Sequence, residues 1–379
     1  MSKKIKVLEC IRQGQIGGGE SHLLSLVENL DQSRFDPIVL SFTNGPMIDR
    51  LKEMNVDTSV IHTIRPFDIA KWKTVLRYIK ENQVDIVHAH GTRANSNILW
   101  AAKKLGIPVI YTVHGWSFHP DQSFITRRVR VLGEKYLTSR SDINISVSAS
   151  NKASGQQLIK KFNSIVINNG IDQKKFDPNT TYKNIRRELG IADSAVLLLF
   201  LARFTSHKQP LSLLKAFKKA VQVNPNLHLL MVGEGDQKKE AEEWLIKENL
   251  QDKVTLQPFR QDVPAVLASA DIYILPSLWE GLPIGLLEAM AMGKAVIATD
   301  VDGTLEIVNN GVNGQLISTD NLIAELTGAI LTLSGDVALR MQYGRKAIET
   351  IADKFNASAM TKKIEDIYTE LYKKSNKPS

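Results

Sequence analysis

Short apolar runs rich in β-branched residues alternate with helical stretches along the whole chain of 379 residues. Runs of this kind are typical of parallel strands that are buried on both faces and connected by helices. We predict ten such strands, at residues 6–11, 37–42, 85–90, 109–113, 143–147, 195–201, 228–232, 254–257, 272–275 and 295–298. The pattern therefore indicates an α/β protein built on parallel sheets.

The predicted strands form two consecutive sets, which are separated by turn-forming residues between 167 and 179. Two parallel sheets in series indicate two doubly wound, Rossmann-like domains rather than one closed barrel. Open parallel sheets bind ligands beyond the carboxyl ends of their strands. We therefore expect the two domains to face each other across a cleft that contains the chemistry.

The composition is that of a globular protein, with 43% hydrophobic and 23% charged residues, and it excludes an intrinsically disordered chain. No apolar run reaches the ~18–20 residues that span a bilayer, and the first residues lack the apolar segment of a signal peptide. Cys10 is the only cysteine, which excludes an internal disulfide and a cysteine-rich metal site. We expect a cytoplasmic protein with Cys10 buried in its first strand.

The formal net charge of +8 arises from residues 1–180, since the remaining residues are close to neutral. An excess of basic residues in one half indicates an acidic partner, such as an anionic membrane surface, a phosphorylated substrate or nucleic acid. A solvated basic face without a partner explains the charge equally well. Nucleic acid is not expected, because the sequence shows no recognition helix or stacking platform.

A glycine-rich loop, residues 14–20, follows the first predicted strand and leads into a helix. Glycines let backbone N–H groups approach an anion, and a helix N-terminus adds partial positive charge. A dinucleotide-binding domain would also carry an acidic residue at the end of its second strand. Here that strand ends with Leu40-Ser41-Phe42 and has no acidic residue at this position. The loop therefore indicates either contact with a phosphate or other substrate group, or a simple tight turn.

Three histidines, His88, His90 and His114, lie at the ends of two predicted strands. Strand ends at the expected cleft would place these side chains near a substrate, and His114, which is followed by glycine, is the best candidate for contact with the reacting group. A hydrogen-bonded core role is the alternative for His88 and His90. A zinc triad is disfavoured, because the histidines lack ligand spacing and no acidic ligand accompanies them in the sequence.

Two cations, Arg203 and Lys208, follow the first predicted strand of the second set. The planar guanidinium of arginine binds phosphate in a bidentate manner, and a lysine adds a point charge. A diphosphate leaving group, whose charge grows as its bond breaks, requires such positive charge. Gly233, in a second strand-to-loop segment, indicates either a further phosphate contact or a tight turn.

Two glutamates, Glu280 and Glu288, stand eight positions apart in the segment 275–290. Pro283 fits the first turn of a helix, so Glu280 is expected in the preceding loop and Glu288 inside the helix. Backbone N–H groups at residues 282–286 would be free to donate to hydroxyls or phosphate oxygens. Carboxylates in this arrangement suit hydrogen bonding to sugar and ribose hydroxyls.

This glutamate segment, followed by residues 290–299 and 306–308, resembles the signature of the retaining glycosyltransferases of family 4. Further segments resemble other motifs of the family: Gly17 to Glu20, Asn169 to Asp172, Arg203 with Lys208, and Asn310 to Gly314. The resemblance extends over nearly the whole chain, and the combined pattern is specific.

The resemblance implies the GT-B fold, in which two Rossmann-like domains face each other across a cleft. Residues 1–170 would form the acceptor-binding domain, residues 171–356 the nucleotide-sugar-binding domain, and a C-terminal helix at about 357–379 would return to the first domain. It further implies sugar transfer with retained anomeric configuration, with no cofactor and no metal, and UDP-sugars are slightly favoured over GDP-sugars.

Residue roles carried over from the family follow the matching motifs. Glu280 would bind a hydroxyl of the donor sugar, Glu288 the ribose, and Arg203 with Lys208 the diphosphate. His114 would contact the sugar near the scissile bond, so that His114, Arg203, Lys208 and Glu280 form the expected catalytic set. Further donor contacts are expected from Gly18, Gly233, Gly281, Leu282, Pro283 and Ile284, and acceptor contacts from Gly17, Gly18 and His90.

The chain departs from the family pattern at three positions. Ala202 and Gln209 stand where the family commonly has glycine beside the arginine and the lysine, and Asp302 replaces one of two paired glycines. With these residues, the family pattern does not fix the conformation of the loop near the phosphates or the size of the space beside the donor. The motif Asp300-Val301-Asp302 imitates the metal-binding motif of a different transferase fold and is interpreted as coincidental.

The sequence thus predicts a hexosyltransferase of cell-surface polysaccharide or glycolipid biosynthesis, with a lipid-linked or phosphorylated saccharide as acceptor. Basic helix faces in the first half, at Lys73, Arg77, Lys80 and residues 127–140, predict reversible docking on the anionic inner face of the cell membrane. The alternatives are a nucleotide-sugar epimerase of the same architecture and a non-catalytic partner subunit. A glycoside hydrolase is disfavoured, because diphosphate-binding cations would have no purpose there.

Overall fold

The computed structural model describes residues 3–14, 17–119 and 122–375. Gln15 and Ile16 of the predicted glycine loop lie outside the described residues. The chain divides into two compact units, of which the first comprises Met1–Gly170 and Ala357–Ser379 and the second Ile171–Asn356.

The first unit contains a seven-stranded parallel sheet. Its strands are β1 (Ile5–Ile11), β2 (Phe35–Ser41), β3 (Asp57–Val60), β4 (Ile86–His90), β5 (Val109–Val113), β6 (Ile143–Ser146) and β7 (Ile165–Val166), in the order β3-β2-β1-β4-β5-β6-β7. The connecting helices are α1 (Gly18–Asn29), α2 (Pro46–Glu53), α3 (Trp72–Glu81), α4 (Thr92–Lys104), α5 (Phe124–Arg140) and α6 (Ala149–Leu158), with a 3₁₀ turn at Ile69–Lys71.

Successive residues of the central strand β1 pack into different hydrophobic clusters on the two faces of this sheet. Val7 packs in a cluster with Leu26 of α1, whereas Leu8 packs in a cluster with Ile98 of α4. Cys10 is fully buried, as expected. Burial on both faces explains why the strands read as continuous apolar runs.

The second unit repeats this design with a six-stranded parallel sheet. Its strands are β8 (Val196–Leu201), β9 (Leu227–Val232), β10 (Val254–Gln257), β11 (Ile272–Leu275), β12 (Ala295–Thr299) and β13 (Gln315–Ile317), in the order β10-β9-β8-β11-β12-β13. Its helices are α7 (Ile185–Leu189), α8 (Pro210–Val223), α9 (Lys238–Lys247), α10 (Val263–Ser269), α11 (Ile284–Ala291), α12 (Leu322–Gly335) and α13 (Val337–Lys354), with 3₁₀ turns at Ser206–Lys208 and Asp302–Thr304.

The final helix α14 (Ala357–Ser375) belongs to the first unit. Its residues Met360, Ile364, Tyr368 and Leu371 are buried in the cluster that contains Val7. At its N-terminal end, the backbone N–H of Gly170 donates to the sulfur of Met360 at 3.2 Å. The α14 helix is therefore part of the core of the first sheet.

The ten predicted strands agree with the observed ones within two residues, and the doubly wound α/β fold class is confirmed. Three further strands, β3, β7 and β13, were not predicted. They have four residues or fewer and lie at the edges of the sheets, where a strand needs less apolar sequence. Within the described residues, no single helix is long and apolar enough to span a bilayer, and α12 with α13 passes that test only as a pair bent by 100°.

We predict that Ile364→Ala destabilises the first unit by about 2–5 kcal/mol, because it leaves a cavity in a fully buried site. Denaturant unfolding followed by a probe in each unit measures the effect, and the second unit should unfold unchanged. The exposed neighbour Lys363 provides the control, since Lys363→Ala removes no buried side chain. Equal stabilities of the two variants would contradict the assignment of α14 to the core.

Candidate functional site

The predicted residues of the first unit lie at the carboxyl edge of its sheet. Gly17 and Gly18 follow β1, His90 ends β4, and His114 follows β5. Strands β1 and β4 are neighbours at the point where the strand order reverses, which is where open α/β sheets bind ligands. The topology therefore brings these residues together although they are far apart in the sequence.

Gly17 caps the N-terminus of α1, and Gly18 is its first residue. A Cβ atom added to Gly18 would meet no atom of the described residues beyond its chain neighbours within 4 Å, and the residue is exposed. Packing within the described residues therefore does not require glycine at position 18. The next glycine, Gly19, lies against His114, since its Cβ would be 3.5 Å from the imidazole Cδ2.

The predicted histidines do come together, and a fourth joins them. Nδ1 of His90 lies 3.0 Å from Nε2 of His114, and the ring of His22 on α1 lies edge-on to His114 with centroids 4.8 Å apart. His114 is partly exposed, but His90 is only 2% exposed. The structure thus places His90 behind His114, where it can orient that ring rather than contact an acceptor.

A buried carboxylate supports this cluster. Glu9 is fully buried in β1, and its carboxylate lies 2.9 Å from Nε2 of His90, 3.2 Å from Nδ1 of His88 and 2.6 Å from the hydroxyl of Tyr368 on α14. His88 is itself a buried core residue, bonded to Tyr368 and Thr112. The sequence-based statement that no acidic residue accompanies the histidines was therefore wrong. A glutamate inside an otherwise apolar strand was the signal, because a buried charge requires partners.

Two groups of side chains here have ligand atoms within 4.8 Å of one another, namely His22, His90 and His114, and Glu9, His88 and His90. Spacing alone would let either group hold a metal ion. In the second group, Glu9 is hydrogen bonded to His90 and to Tyr368, and Tyr368 is also bonded to His88. These bonds account for the burial of the second group.

Burial controls the protonation of the cluster. It lowers the pKa of His90 to about 4 and that of His22 to about 3, and it lowers the pKa of His114 well below its ordinary value. For Glu9, burial alone would raise the pKa, but the charge and hydrogen bonds of His88 and His90 hold it well below its ordinary range. At neutral pH the rings of His22, His90 and His114 are thus neutral, and the Glu9 carboxylate is ionised.

In the second unit, two predicted residues bind each other. Lys208, in the 3₁₀ turn after β8, forms an ion pair with Glu280 in the loop after β11. Their side chains are only 15% and 9% exposed. Arg203 precedes this turn and is exposed, and its side chain forms no ion pair in the part of the chain that the structure describes. Strands β8 and β11 are again the neighbours at which the strand order reverses.

The Arg203 segment is held in place by Gly233, at the end of β9. Gly233 has a φ of +150°, and a Cβ there would lie 2.1 Å from the carbonyl oxygen of Ala202. The backbone N–H of Ala202 donates to the carbonyl of Val232 at 3.2 Å. Glycine at this position is therefore required by close packing, whether or not it also contacts a ligand.

Helix α11 begins at Ile284, and Pro283 occupies its N-cap, one position earlier than predicted. The side chains of Leu282 and Ile284 are buried, so neither side chain is exposed to a ligand. Glu288 lies inside α11, as predicted. Burial raises the pKa of its carboxyl to about 7, although the charge of Lys175 opposes this rise.

Two departures from the family pattern occupy positions that favour glycine. Gln209 has a φ of +56° and Asp302 a φ of +30°. A Cβ on Gly303 would lie 1.9 Å from the carbonyl oxygen of Gly281, so the loop after β12 packs tightly on the Glu280 loop. Burial and the charge of Glu280 raise the pKa of Asp302, whereas a backbone hydrogen bond from Glu280 opposes the rise.

Comparisons with known proteins show what the chain is similar to. Residues 16–175 match the family model described as Glycosyltransferase Family 4, and residues 181–350 match the one described as Glycosyl transferases group 1. The chain is 25% identical to an Escherichia coli UDP-Gal:alpha-D-GlcNAc-diphosphoundecaprenol alpha-1,3-galactosyltransferase, with 97% of each chain covered.

A second relative is the Campylobacter jejuni N,N'-diacetylbacillosaminyl-diphospho-undecaprenol alpha-1,3-N-acetylgalactosaminyltransferase. It is 25% identical over 84% of this chain and 87% of its own. Among solved structures, Anabaena HepE in complex with UDP-glucose matches with a TM-score of 0.85 and 22% identity, covering 97% of this chain and 100% of that chain. This likeness confirms the expected GT-B fold class.

We predict that Gly233→Ala destabilises the second unit by about 1–3 kcal/mol, because the added Cβ strains the backbone and displaces the carbonyl of Ala202. Thermal unfolding measures the loss. Gly328→Ala in α12 is the matched control, since its Cβ would meet nothing within 4 Å and alanine favours a helix. If both variants unfold like the wild type, the packing requirement at Gly233 is refuted.

Proposed function

The chain belongs to glycosyltransferase family 4, and we propose that it transfers a hexose from a nucleotide-sugar donor to an acceptor hydroxyl with retention of anomeric configuration. The observation that carries this proposal is the ion pair of Lys208 with Glu280 at the carboxyl edge of the second sheet, with Arg203 in the same loop as Lys208. A cation paired with a carboxylate, and a second cation in the same loop, match a substrate that carries both a diphosphate and sugar hydroxyls.

Lys208 is suited to bind Glu280 and a phosphate at the same time. An ammonium group has three N–H donors, and only the bond to Glu280 uses one of them among the described residues. The ion pair also aims the Glu280 carboxylate at the place where the phosphate would be held. Glu280 would then accept a hydrogen bond from a hydroxyl of the sugar attached to that phosphate.

The reaction would proceed on one face of the sugar. The bond between the anomeric carbon and the diphosphate oxygen breaks, and its electron pair goes to the diphosphate, which Arg203 and Lys208 stabilise. The acceptor hydroxyl attacks from the same face and gives its proton to a phosphate oxygen. No protein nucleophile is needed, and the two cations supply the charge that a metal ion would otherwise provide.

Other groups of the second unit would bind the rest of the donor. Glu288 is proposed to accept hydrogen bonds from the ribose, and the backbone N–H groups of the first turn of α11 would donate to phosphate oxygens. The backbone of Gly281 and of Gly233 is also proposed to contact the donor. A uridine nucleotide is proposed as the donor, since the name of the Escherichia coli relative includes UDP-Gal and HepE was solved with UDP-glucose.

The first unit is proposed to bind the acceptor. No described residue fills the space beside Gly18 at the N-terminus of α1, and this space suits a phosphate or saccharide group. Gly17 lies next to it, and His114 would contact a substrate hydroxyl. Both curated relatives described above have diphospho-undecaprenol substrates by name. We therefore propose a lipid-linked saccharide as the acceptor, within polysaccharide or glycolipid biosynthesis.

A lipid-linked acceptor requires access to a membrane surface, and α5 offers a suitable face. Ile125, Val129 and Leu132 are between 64% and 75% exposed, and their spacing places them on one side of the helix. The basic residues Arg128 and Lys135 are exposed on the same helix. Apolar side chains flanked by basic ones are typical of helices that lie in the interface of an anionic bilayer. Peripheral association with the inner face of the cell membrane is therefore part of the proposal.

We predict that Lys208→Ala and Arg203→Ala each lower sugar transfer about 10²-fold, because each removes a charge that stabilises the leaving group. Calorimetry with UDP should show weaker binding in both variants. Lys218→Ala is the matched control, since it removes a lysine that is also paired with a glutamate, Glu248, in the same unit. Wild-type protein that binds no UDP, or variants that bind it unchanged, would argue against the proposed donor site.

We predict that the protein floats with vesicles that contain phosphatidylglycerol but not with pure phosphatidylcholine vesicles. Replacing Ile125, Val129 and Leu132 by serine together should abolish flotation, because the apolar face of α5 is lost. Ile246→Ser, at an isoleucine of α9 that is 63% exposed, should leave flotation unchanged. Binding that is equal in all variants, or absent from the wild type, would exclude docking through α5.

A further inference from the structure

A chain of hydrogen bonds leads from the interior of the first sheet to the partly exposed His114. It begins at the Glu9 carboxylate, passes through Nε2 and Nδ1 of His90 at 2.9 Å and 3.0 Å, and ends at Nε2 of His114. Each of these hydrogen bonds joins two known atoms, so the donor and the acceptor of each bond can be inferred.

The direction of the chain follows from what each group is able to donate. An ionised carboxylate only accepts hydrogen bonds, so Nε2 of His90 carries a proton and donates a hydrogen bond to Glu9. The pKa of His90 is lowered to about 4 by burial, so at neutral pH its other nitrogen, Nδ1, has a lone pair. That lone pair accepts a hydrogen bond from Nε2 of His114, which must therefore carry the proton of the neutral ring.

The Glu9 carboxylate, where this series of hydrogen bonds begins, cannot rotate away, because other donors also bind it. The hydroxyl of Tyr368 donates to Oε1 of Glu9 at 2.6 Å, and Nδ1 of His88 lies 3.2 Å from Oε2. The ring of His114 is held in turn by the edge of His22 and by Gly19. These contacts fix the orientation of the His114 ring.

We propose that Glu9 and His90 are positioning residues that hold His114 as its Nε2–H tautomer, so that Nδ1 accepts a hydrogen bond from a substrate hydroxyl. Nδ1 of His114 forms no hydrogen bond with any described residue, which leaves it available for this role. The identity of the hydroxyl, on a sugar donor or an acceptor, rests on the proposed function, whereas the tautomer does not.

Nitrogen NMR of protein labelled with ¹⁵N-histidine tests the tautomer in the absence of any substrate. The His114 signals, assigned by their loss in His114→Gln, should show a protonated Nε2 and an unprotonated Nδ1 at neutral pH. A His114 ring protonated at Nδ1 would overturn the proposal. Zn²⁺ added alone should not displace the Nε2 proton of His114, and displacement at stoichiometric Zn²⁺ would show a metal site instead.

Two substitutions of His90 separate positioning from folding. In His90→Gln, the side-chain amide nitrogen can reach Glu9 from the position of Nε2, but Nε2 of His114 is left without a partner. In His90→Asn, the side-chain oxygen stays near the position of Nδ1. We expect the His114 tautomer to become mixed in His90→Gln and to be retained in His90→Asn. Tyr368→Phe removes a buried hydrogen bond to Glu9 without touching His114, and it should leave the tautomer unchanged. Equal changes of the His114 tautomer in His90→Gln and Tyr368→Phe would show that the hydrogen bonds from Glu9 through His90 have only a structural role.

Kinetics supply the readout in catalysis. With whichever of UDP-glucose and UDP-galactose the wild type uses, His90→Gln should lower kcat about 10-fold or more, and His90→Asn should restore part of the loss. UDP affinity should stay unchanged in both, since the proposed diphosphate ligands belong to the second unit. A wild type that binds no UDP refutes the proposed function but leaves the NMR result standing, whereas an unchanged kcat in His90→Gln refutes the positioning role.

Discussion

In both units the chain returns across the sheet after every strand, so every carboxyl end lies on one edge. Where the strand order reverses, between β1 and β4 and between β8 and β11, neighbouring connections diverge and leave room for a ligand. The first edge collects Gly18 and His114, and the second collects Arg203, Lys208 and Glu280. Topology alone thus brings residues separated by up to about a hundred positions to the same edge of a sheet.

The buried charge of Glu9 links this topology to chemistry. An isolated carboxylate in the interior would be very unfavourable, and here hydrogen bonds from His88, His90 and Tyr368 offset that cost. The same bonds orient the histidines and attach the last helix to the first strand. Stability and the geometry of the site therefore both depend on this one buried carboxylate.

Much of the fold and of the candidate site was predictable from the sequence, and the exceptions have physical reasons. The central strands are covered on both faces, so their apolar runs are unambiguous, whereas edge strands such as β3 are only partly buried. The Lys208–Glu280 pair joins residues known individually from their motifs, but their direct contact depends on the packing of two loops. His22 and Tyr368 could not be predicted as partners of the histidine cluster, because helical periodicity marks them only as residues of a buried face. The left-handed backbone of Gln209 and Asp302 was indicated only by the glycines that the family has there.

The return of α14 to the first unit has a consequence for synthesis on the ribosome. The second unit is one continuous stretch, Ile171–Asn356, and all its strands emerge before residues 357–375 have been translated. Until then the first unit, although made earlier, exposes the apolar face that α14 covers and lacks the tyrosine that donates to Glu9. The domain that is translated first is thus the last to be completed, and the nascent chain depends on protection from aggregation during that interval.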